Sequence, residues 1–167
     1  MLDRRWMLAG TAALAGVAGL RWLTGGSDAT AGGRFEIEKS DDEWRRLLTP
    51  AQYRVLRQHG TETPGSSPLN QEKRKGTFVC AGCDLPLFSS ATKYESGTGW
   101  PSFYEPLPNA VGTSTDRSFL MVRTEVHCRR CGGHLGHVFE DGPPPTGLRY
   151  CMNGVAMKFV PEASGNA

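Results

Sequence analysis

The sequence predicts a mainly β domain headed by two short helices. From Thr77 onward, short β-favouring runs alternate with clusters of turn residues. Ahead of them, two Ser/Thr-x-x-Glu/Gln signatures each introduce an apolar face at helical spacing. The 167 residues include 21 glycines and 11 prolines, too many turn formers for a long bundle or coiled coil. That length is one domain. The net charge is +2 and no basic run exceeds a few residues, which excludes the electrostatic footprint of a nucleic-acid binder.

The first segment reads as an address. Arg4-Arg5 precedes a Gly/Ala-rich apolar stretch from Met7 to Leu20, and Ala29-Thr30-Ala31 has the small-residue pattern of a cleavage site. This is the order of a bacterial export signal, and the arginine pair points to the twin-arginine route. A membrane span needs about 20 apolar residues. Arg21 interrupts a shorter stretch here. An uncleaved membrane anchor is the alternative. Residues 1–31 are therefore read as the export signal of a periplasmic or otherwise exported protein, and 32–167 as the domain. Cleavage leaves a net charge of about +1, too small to attract membranes or polyanions generally.

Ser40 as N-cap with Glu43 at N3 starts the first helix, and Trp44, Leu47 and Leu48 supply its apolar face. Thr49, Pro50 and Gln52 start a second in the same way, with Tyr53, Val55 and Leu56 turned inward and Gly60 ending it. Residues 61–76 read as a polar loop. Strands are expected in Thr77–Cys80, Leu85–Phe88, Ser118–Cys128, Val138–Phe139 and Tyr150–Val160.

Five cysteines divide as four plus one. Cys80-x2-Cys83 and Cys128-x2-Cys131 are two knuckles whose four thiolates suit tetrahedral zinc. Their wide separation means that the whole fold must bring them together, so one structural zinc would tie distant strands. Two disulfides, permitted in an exported protein, and redox C-x-x-C chemistry are the alternatives. His134 and His137 lie beside the second knuckle; four thiolates suffice for zinc, which frees both histidines for other work.

Cys151 is the odd thiol. On a strand, Arg149, Cys151 and Asn153 share one face. A neighbouring guanidinium favours the nucleophilic thiolate. An isolated cysteine would read instead as buried and inert. The loop from Asp141 to Gly147, with three prolines, restricts the approach to Cys151. In Ser96-Gly97-Thr98-Gly99-Trp100-Pro101-Ser102-Phe103, Trp100 is either core or the wall of a small apolar pocket.

These segments together resemble methionine sulfoxide reductase B. The resemblance rests on the two knuckles, Ser96 to Phe103, His134-Leu135-Gly136-His137-Val138-Phe139, Asp141-Gly142-Pro143 and Gly147 to Phe159, and covers about residues 36 to 160. It implies two antiparallel sheets in a sandwich-like tent with short N-terminal helices, and a structural zinc on Cys80, Cys83, Cys128 and Cys131. It implies Cys151 as nucleophile and Trp100 as the receiver of the substrate's methyl group. His134, His137, Asp141, Arg149 and Asn153 match the other active-site positions. The implied substrate is the R epimer of methionine sulfoxide, mainly within proteins; separately, a monomer is expected. In that chemistry Cys151 attacks the sulfoxide sulfur, His134 or His137 protonates the oxygen, and Cys151 is left as sulfenic acid. A zinc-stapled binding module without turnover, and a thiol–disulfide oxidoreductase, are the competing readings.

The sequence departs from the family pattern twice. Thr98 stands where many members carry a resolving cysteine. With four cysteines on zinc, no thiol remains for an internal disulfide with Cys151, so a thioredoxin-like or other external thiol reductant is expected. Gly154 stands where serine often follows the asparagine.

Overall fold

Both helices begin where their caps dictate. The computed structural model describes residues 34–163, so the expected export signal lies outside the described residues. Asp41–Leu47 is α1 and Pro50–Gln58 is α2. Each carries a closed capping box. The Ser40 N–H donates to Glu43 at 2.8 Å, and the Gln52 N–H donates to Thr49 Oγ1 at 3.2 Å. Trp44, Leu48, Tyr53, Val55 and Leu56 are buried. Leu47, expected on the apolar face of α1, is exposed. The helix is only seven residues long and buries a narrower stripe than the i, i+3, i+4 pattern suggested. The stop of α2 also differs from expectation. His59, one residue before Gly60, adopts the left-handed conformation with φ 53°. Its ring is held from outside the helix, with Nδ1 2.9 Å from Glu125 Oε1. Gly60 serves a close approach instead: a Cβ there would lie 2.9 Å from the Arg54 carbonyl oxygen.

Nine strands follow among the described residues: β1 (Gly76–Cys80), β2 (Pro86–Ser89), β3 (Lys93–Tyr94), β4 (Ser102–Phe103), β5 (Val111–Asp116), β6 (Arg123–Cys128), β7 (His134–Phe139), β8 (Arg149–Met152) and β9 (Met157–Pro161). They form two antiparallel sheets. One has the order β2-β1-β9, the other β3-β4-β8-β7-β6-β5. The mainly β, two-sheet expectation is what the fold shows.

Two expected strands are corrected. The Tyr150–Val160 run is broken by a 3-10 turn at Gly154–Ala156. That turn sends β8 into the larger sheet and β9 into the smaller, so the one expected strand contributes to both layers. The Ser118–Cys128 run is strand only from Arg123, after a 3-10 turn at Ser118–Leu120. Between the sheets lies an aromatic cluster. Phe78, Phe88 and Phe103 are fully buried, with Phe88 stacked on Phe103 at 4.4 Å and Phe78 edge-on to it at 4.9 Å. Burying each such ring contributes about 1.5–3 kcal/mol. Among the described residues no helix is long and apolar enough to cross a membrane.

Candidate active site and metal centre

The two knuckles share one local geometry. Each first cysteine ends a strand, Cys80 on β1 and Cys128 on β6. The carbonyl of each accepts the N–H of the residue four positions on, at 2.9 Å in both cases. That fifth residue is left-handed in both, Asp84 with φ 57° and Gly132 with φ 67°. The chain thereby turns back sharply enough to offer two sulfurs on one side. The four ligand atoms lie within 4.8 Å of one another, with Cys80 Sγ 3.8 Å from Cys131 Sγ and Cys83 Sγ 3.5 Å from Cys128 Sγ. Tetrahedral sulfurs around zinc, at bonds of about 2.3 Å, stand about 3.8 Å apart. A disulfide would need about 2.05 Å. The four cysteines therefore fit a metal ion, and the cluster suits the soft-ligand preference of zinc. It joins the end of the small sheet to the end of the large one.

Cys151 sits on β8 between β4 and β7. Register places it opposite His137 on one side and Ser102 on the other. Directly opposed residues project to the same face. A cavity of about 310 Å³ opens there, and Cys151, His137, Trp100, Asn153, Arg149, Thr98 and Arg123 are among its lining residues. A larger hollow of about 510 Å³ lies against α2 and the 61–69 segment, and no cysteine or histidine lines it.

Each sequence-predicted site residue has a definite place. Arg149 lies over the Phe139 ring at 4.4 Å, and both Nε and Nη2 donate to the Asp141 carboxylate at 2.8 Å. Asp141 lies outside the cavity lining and acts on the site through that guanidinium. His137 lines the cavity, and its Nε2 is 2.8 Å from Asp116 Oδ2. A carboxylate only accepts, so Nε2 carries the proton and Nδ1 is the nitrogen free to exchange one. His134 lies behind it. It is fully buried, its Nδ1 is 2.7 Å from Glu125 Oε1, and its ring centroid is 5.4 Å from that of His137. Asn153 is buried, with Nδ2 donating to the Leu135 carbonyl at 3.0 Å and Oδ1 accepting from the Glu62 N–H at 2.9 Å. Trp100 donates from Nε1 to the Glu62 carbonyl at 3.1 Å.

The electrostatics set the arginine against burial. Burial pushes the Cys151 thiol above its ordinary range. The Thr98 hydroxyl, 3.8 Å from Sγ, and the Arg149 guanidinium pull it down without overcoming burial. The neighbouring arginine does not by itself make a thiolate in the resting site. His137 is also lowered by burial, against the pull of its bond to Asp116, so it rests neutral near pH 7. For Glu125, burial pushes the carboxyl up, but hydrogen bonds from His134 and Ser114 win and hold it at about 2. Alkylation of Cys151 by iodoacetamide in the metal-loaded protein should therefore rise with pH through a midpoint above that of an ordinary thiol. Arg149→Met should move that midpoint higher still. A midpoint below the ordinary thiol value contradicts this electrostatic account.

Four residues at or behind the site were missed by sequence reading: Asp116, Arg123, Glu125 and Glu62. The first three depend on the β5–β6 hairpin, which pairs Asp116 with Arg123 in register. The Arg123-Thr124-Glu125 alternation marks one face of a strand, but only once the turn at Ser118 is recognised. Glu62 lies in a polar loop with no local signal. The Gly154 departure has a steric reason: a Cβ there would lie 1.9 Å from Ser67 Oγ.

The SelR domain family matches residues 48–161, more than half of the chain, from the end of α1 to the end of β9. The chain belongs to the SelR domain family. The matched stretch holds both knuckles, the Trp100 loop and Cys151. Among curated relatives, a protein of Leptospira interrogans is 57% identical over 129 residues, covering 77% of this chain and 98% of that protein. One of Agrobacterium fabrum is 57% identical over 127 residues, covering 75% and 94%. One of Methanosarcina barkeri is 57% identical over 130 residues, covering 77% and 92%. Each is named peptide methionine sulfoxide reductase MsrB. The SelR domain thus spans both layers of the fold and the whole cavity.

Proposed function

We propose that this chain reduces methionine-R-sulfoxide in proteins to methionine, with Cys151 as the nucleophile. As a SelR domain protein with MsrB relatives it is an oxidoreductase, a peptide-methionine (R)-S-oxide reductase. The observation that carries the assignment to residues is the seating of Cys151 in a cavity walled by Trp100 and His137. The aromatic face of Trp100 suits the substrate's methyl end.

The chemistry follows from the resting protonation states. Cys151 starts as thiol and His137 as neutral imidazole. His137, opposite Cys151 on the neighbouring strand, takes the thiol proton directly or through water. Thiolate then attacks the sulfoxide sulfur. The sulfoxide oxygen is a poor leaving group until protonated, and the His137 imidazolium returns the proton to it. The sulfur–sulfur bond so formed breaks as the released hydroxide adds to Cys151 Sγ, so that in sum one oxygen passes from substrate to Cys151. The substrate sulfur gains the two electrons that Cys151 gives up, leaving methionine and a sulfenic acid. Asp116 stabilises the imidazolium while it exists. Arg149, held by Asp141, favours the thiolate as it forms. His134, held by Glu125, packs behind His137, and Asn153 ties β8 to β7.

Recycling needs two external thiols, because Thr98 stands beside Cys151 and the other four cysteines are grouped together. The first thiol displaces water from the sulfenic acid to give a mixed disulfide, and the second releases Cys151. The reductant is a thioredoxin-like protein or another thiol. Cys80, Cys83, Cys128 and Cys131 would hold one structural zinc, which supplies folding energy and takes no part in turnover.

The test is an epimer-resolved turnover assay with dithiothreitol. Reduction of the R epimer, with the S epimer left untouched, is expected. Turnover of the S epimer alone, or of neither, overturns the proposal. We propose further that residues 1–31 form a twin-arginine export signal, followed by a domain of residues 32–167 acting as a monomer. Support comes from Arg4-Arg5, the apolar stretch and Ala29-Thr30-Ala31. The intact mass of the exported protein should begin after Ala31. A full-length mass in the membrane fraction would support an uncleaved anchor instead.

A further inference from the structure

We infer that Glu62 is a positioning residue that fixes the Trp100 wall against the Cys151 strand. This rests on the function proposed above. Every polar group of Glu62 is bonded to the Trp100 wall or to the segment just beyond Cys151. Its N–H donates to Asn153 Oδ1 at 2.9 Å, and its carbonyl accepts from Trp100 Nε1 at 3.1 Å. Its carboxylate accepts the N–H groups of Gly154 and Val155, at 2.5 and 3.0 Å. One residue therefore grips the wall at position 100 and the segment two to four residues beyond the nucleophile.

The surrounding loop supports that grip. The Gly65 N–H donates to the Gly99 carbonyl at 2.7 Å, and Asn70 Nδ2 donates to the same oxygen at 2.9 Å. A Cβ at Gly99, where φ is +91°, would lie 2.9 Å from Pro64 Cβ, and Gly154 leaves the space that Ser67 occupies. The 62–70 segment thus clasps the Trp100 loop along its length. The Glu62 carboxylate is its side-chain anchor to the 154–155 turn. The two backbone bonds to Asn153 and Trp100 depend on residue 62 staying there. Without the anchor, the main chain at 62 is free to withdraw, and the distance between the Trp100 wall and Cys151 is no longer set. Trp100 receives the substrate's methyl end, so a displaced wall weakens binding of substrate and transition state alike and shows chiefly in KM.

The test uses the full, zinc-loaded chain and the variants Glu62→Ala and Glu62→Gln. Glu62→Ala should raise KM for the R sulfoxide by about tenfold or more, with a smaller fall in kcat. Glu62→Gln keeps one acceptor oxygen in the same place and should recover part of the loss. In a Trp100→Phe background, which has no indole N–H, the Glu62→Ala penalty should shrink to about threefold or less. Amide exchange at Gly154 and Val155 should quicken in Glu62→Ala, while the pH midpoint of Cys151 alkylation stays put. KM and kcat within twofold of wild type in Glu62→Ala would overturn the inference. So would a penalty undiminished by Trp100→Phe, or an alkylation midpoint that moves with the activity. A wild-type chain that reduces no sulfoxide overturns the proposed function instead. The clamp then stands or falls on the exchange of those two amides.

Discussion

Cys151→Ser should lower kcat/KM for methionine-R-sulfoxide by at least about 10³-fold, about 4 kcal/mol of transition-state stabilisation. Serine fills nearly the same volume in the half-buried position on β8, and the strand bonds to β4 and β7 are made by backbone. Metal content and melting temperature should therefore stay close to wild type, which separates chemistry from folding. The loss is large because two properties of sulfur disappear together. A thiol can be deprotonated by a neutral imidazole, whereas a serine hydroxyl stays protonated. Sulfur can also accept the substrate's oxygen as a sulfenic acid, and a serine oxygen has no comparable stable product. The same reasoning predicts the trapped state. Wild type given substrate and no reductant should form a dimedone adduct at Cys151, and Cys151→Ser should form none. An internal disulfide in place of the adduct would show that one of the other four cysteines reaches the nucleophile, and the external-thiol scheme would be wrong.

What could be read in advance depended on the range of the interaction. The α1 and α2 starts are local: a side-chain oxygen meets an N–H three residues away, so Ser40-x-x-Glu43 and Thr49-x-x-Gln52 suffice. The knuckles are legible for the same reason, since each sulfur pair is set by one tight turn. Arg149, Cys151 and Asn153 share the cavity because strand period is two. The edge strand β5 was not legible. Its sequence Val-Gly-Thr-Ser-Thr-Asp leaves residues 113–115 exposed, so no apolar alternation marks it. Missing β5 hid Asp116, and with it the partner that decides which nitrogen of His137 is free. The roles of His134 and His137 were inseparable by spacing. Cross-strand contacts separate them, with one ring in the cavity and the other against Glu125. How strongly burial opposes Arg149 at the thiol was not legible, because the arginine is visible in sequence and the burial of the site is not.

Cys128→Ser should remove the metal and unfold the domain well below the wild-type temperature. The position allows no accommodation. Cys128 is fully buried at the end of β6, paired with Val111, in Sγ contact with Cys83. A serine there leaves three thiolates and a poor fourth ligand, and the ion that offset their mutual repulsion is lost. The consequence spreads because the cluster is a junction. Cys80 ends the small sheet, Cys128 ends the large one, and the helices rest on the turns between. A Cβ at Gly82 would be in van der Waals contact with both Trp44 and Leu56, and Arg57 Nη1 donates to the Cys131 carbonyl at 3.0 Å. A buried anchor of this kind is worth at least about 3–5 kcal/mol, which corresponds to a fall of about 10–20 °C in melting temperature for a domain of this size. Chelator treatment of wild type should give the same fall, together with release of one zinc per chain. Cys83→Ser, at the more exposed corner, should lose metal with a smaller fall. A Cys128→Ser protein that still binds one zinc and melts with wild type would show that the four sulfurs do not form the metal centre. The two ends of the fold can thus be taken apart separately: Cys151→Ser silences a folded protein, and Cys128→Ser dismantles the frame that holds Cys151 in place.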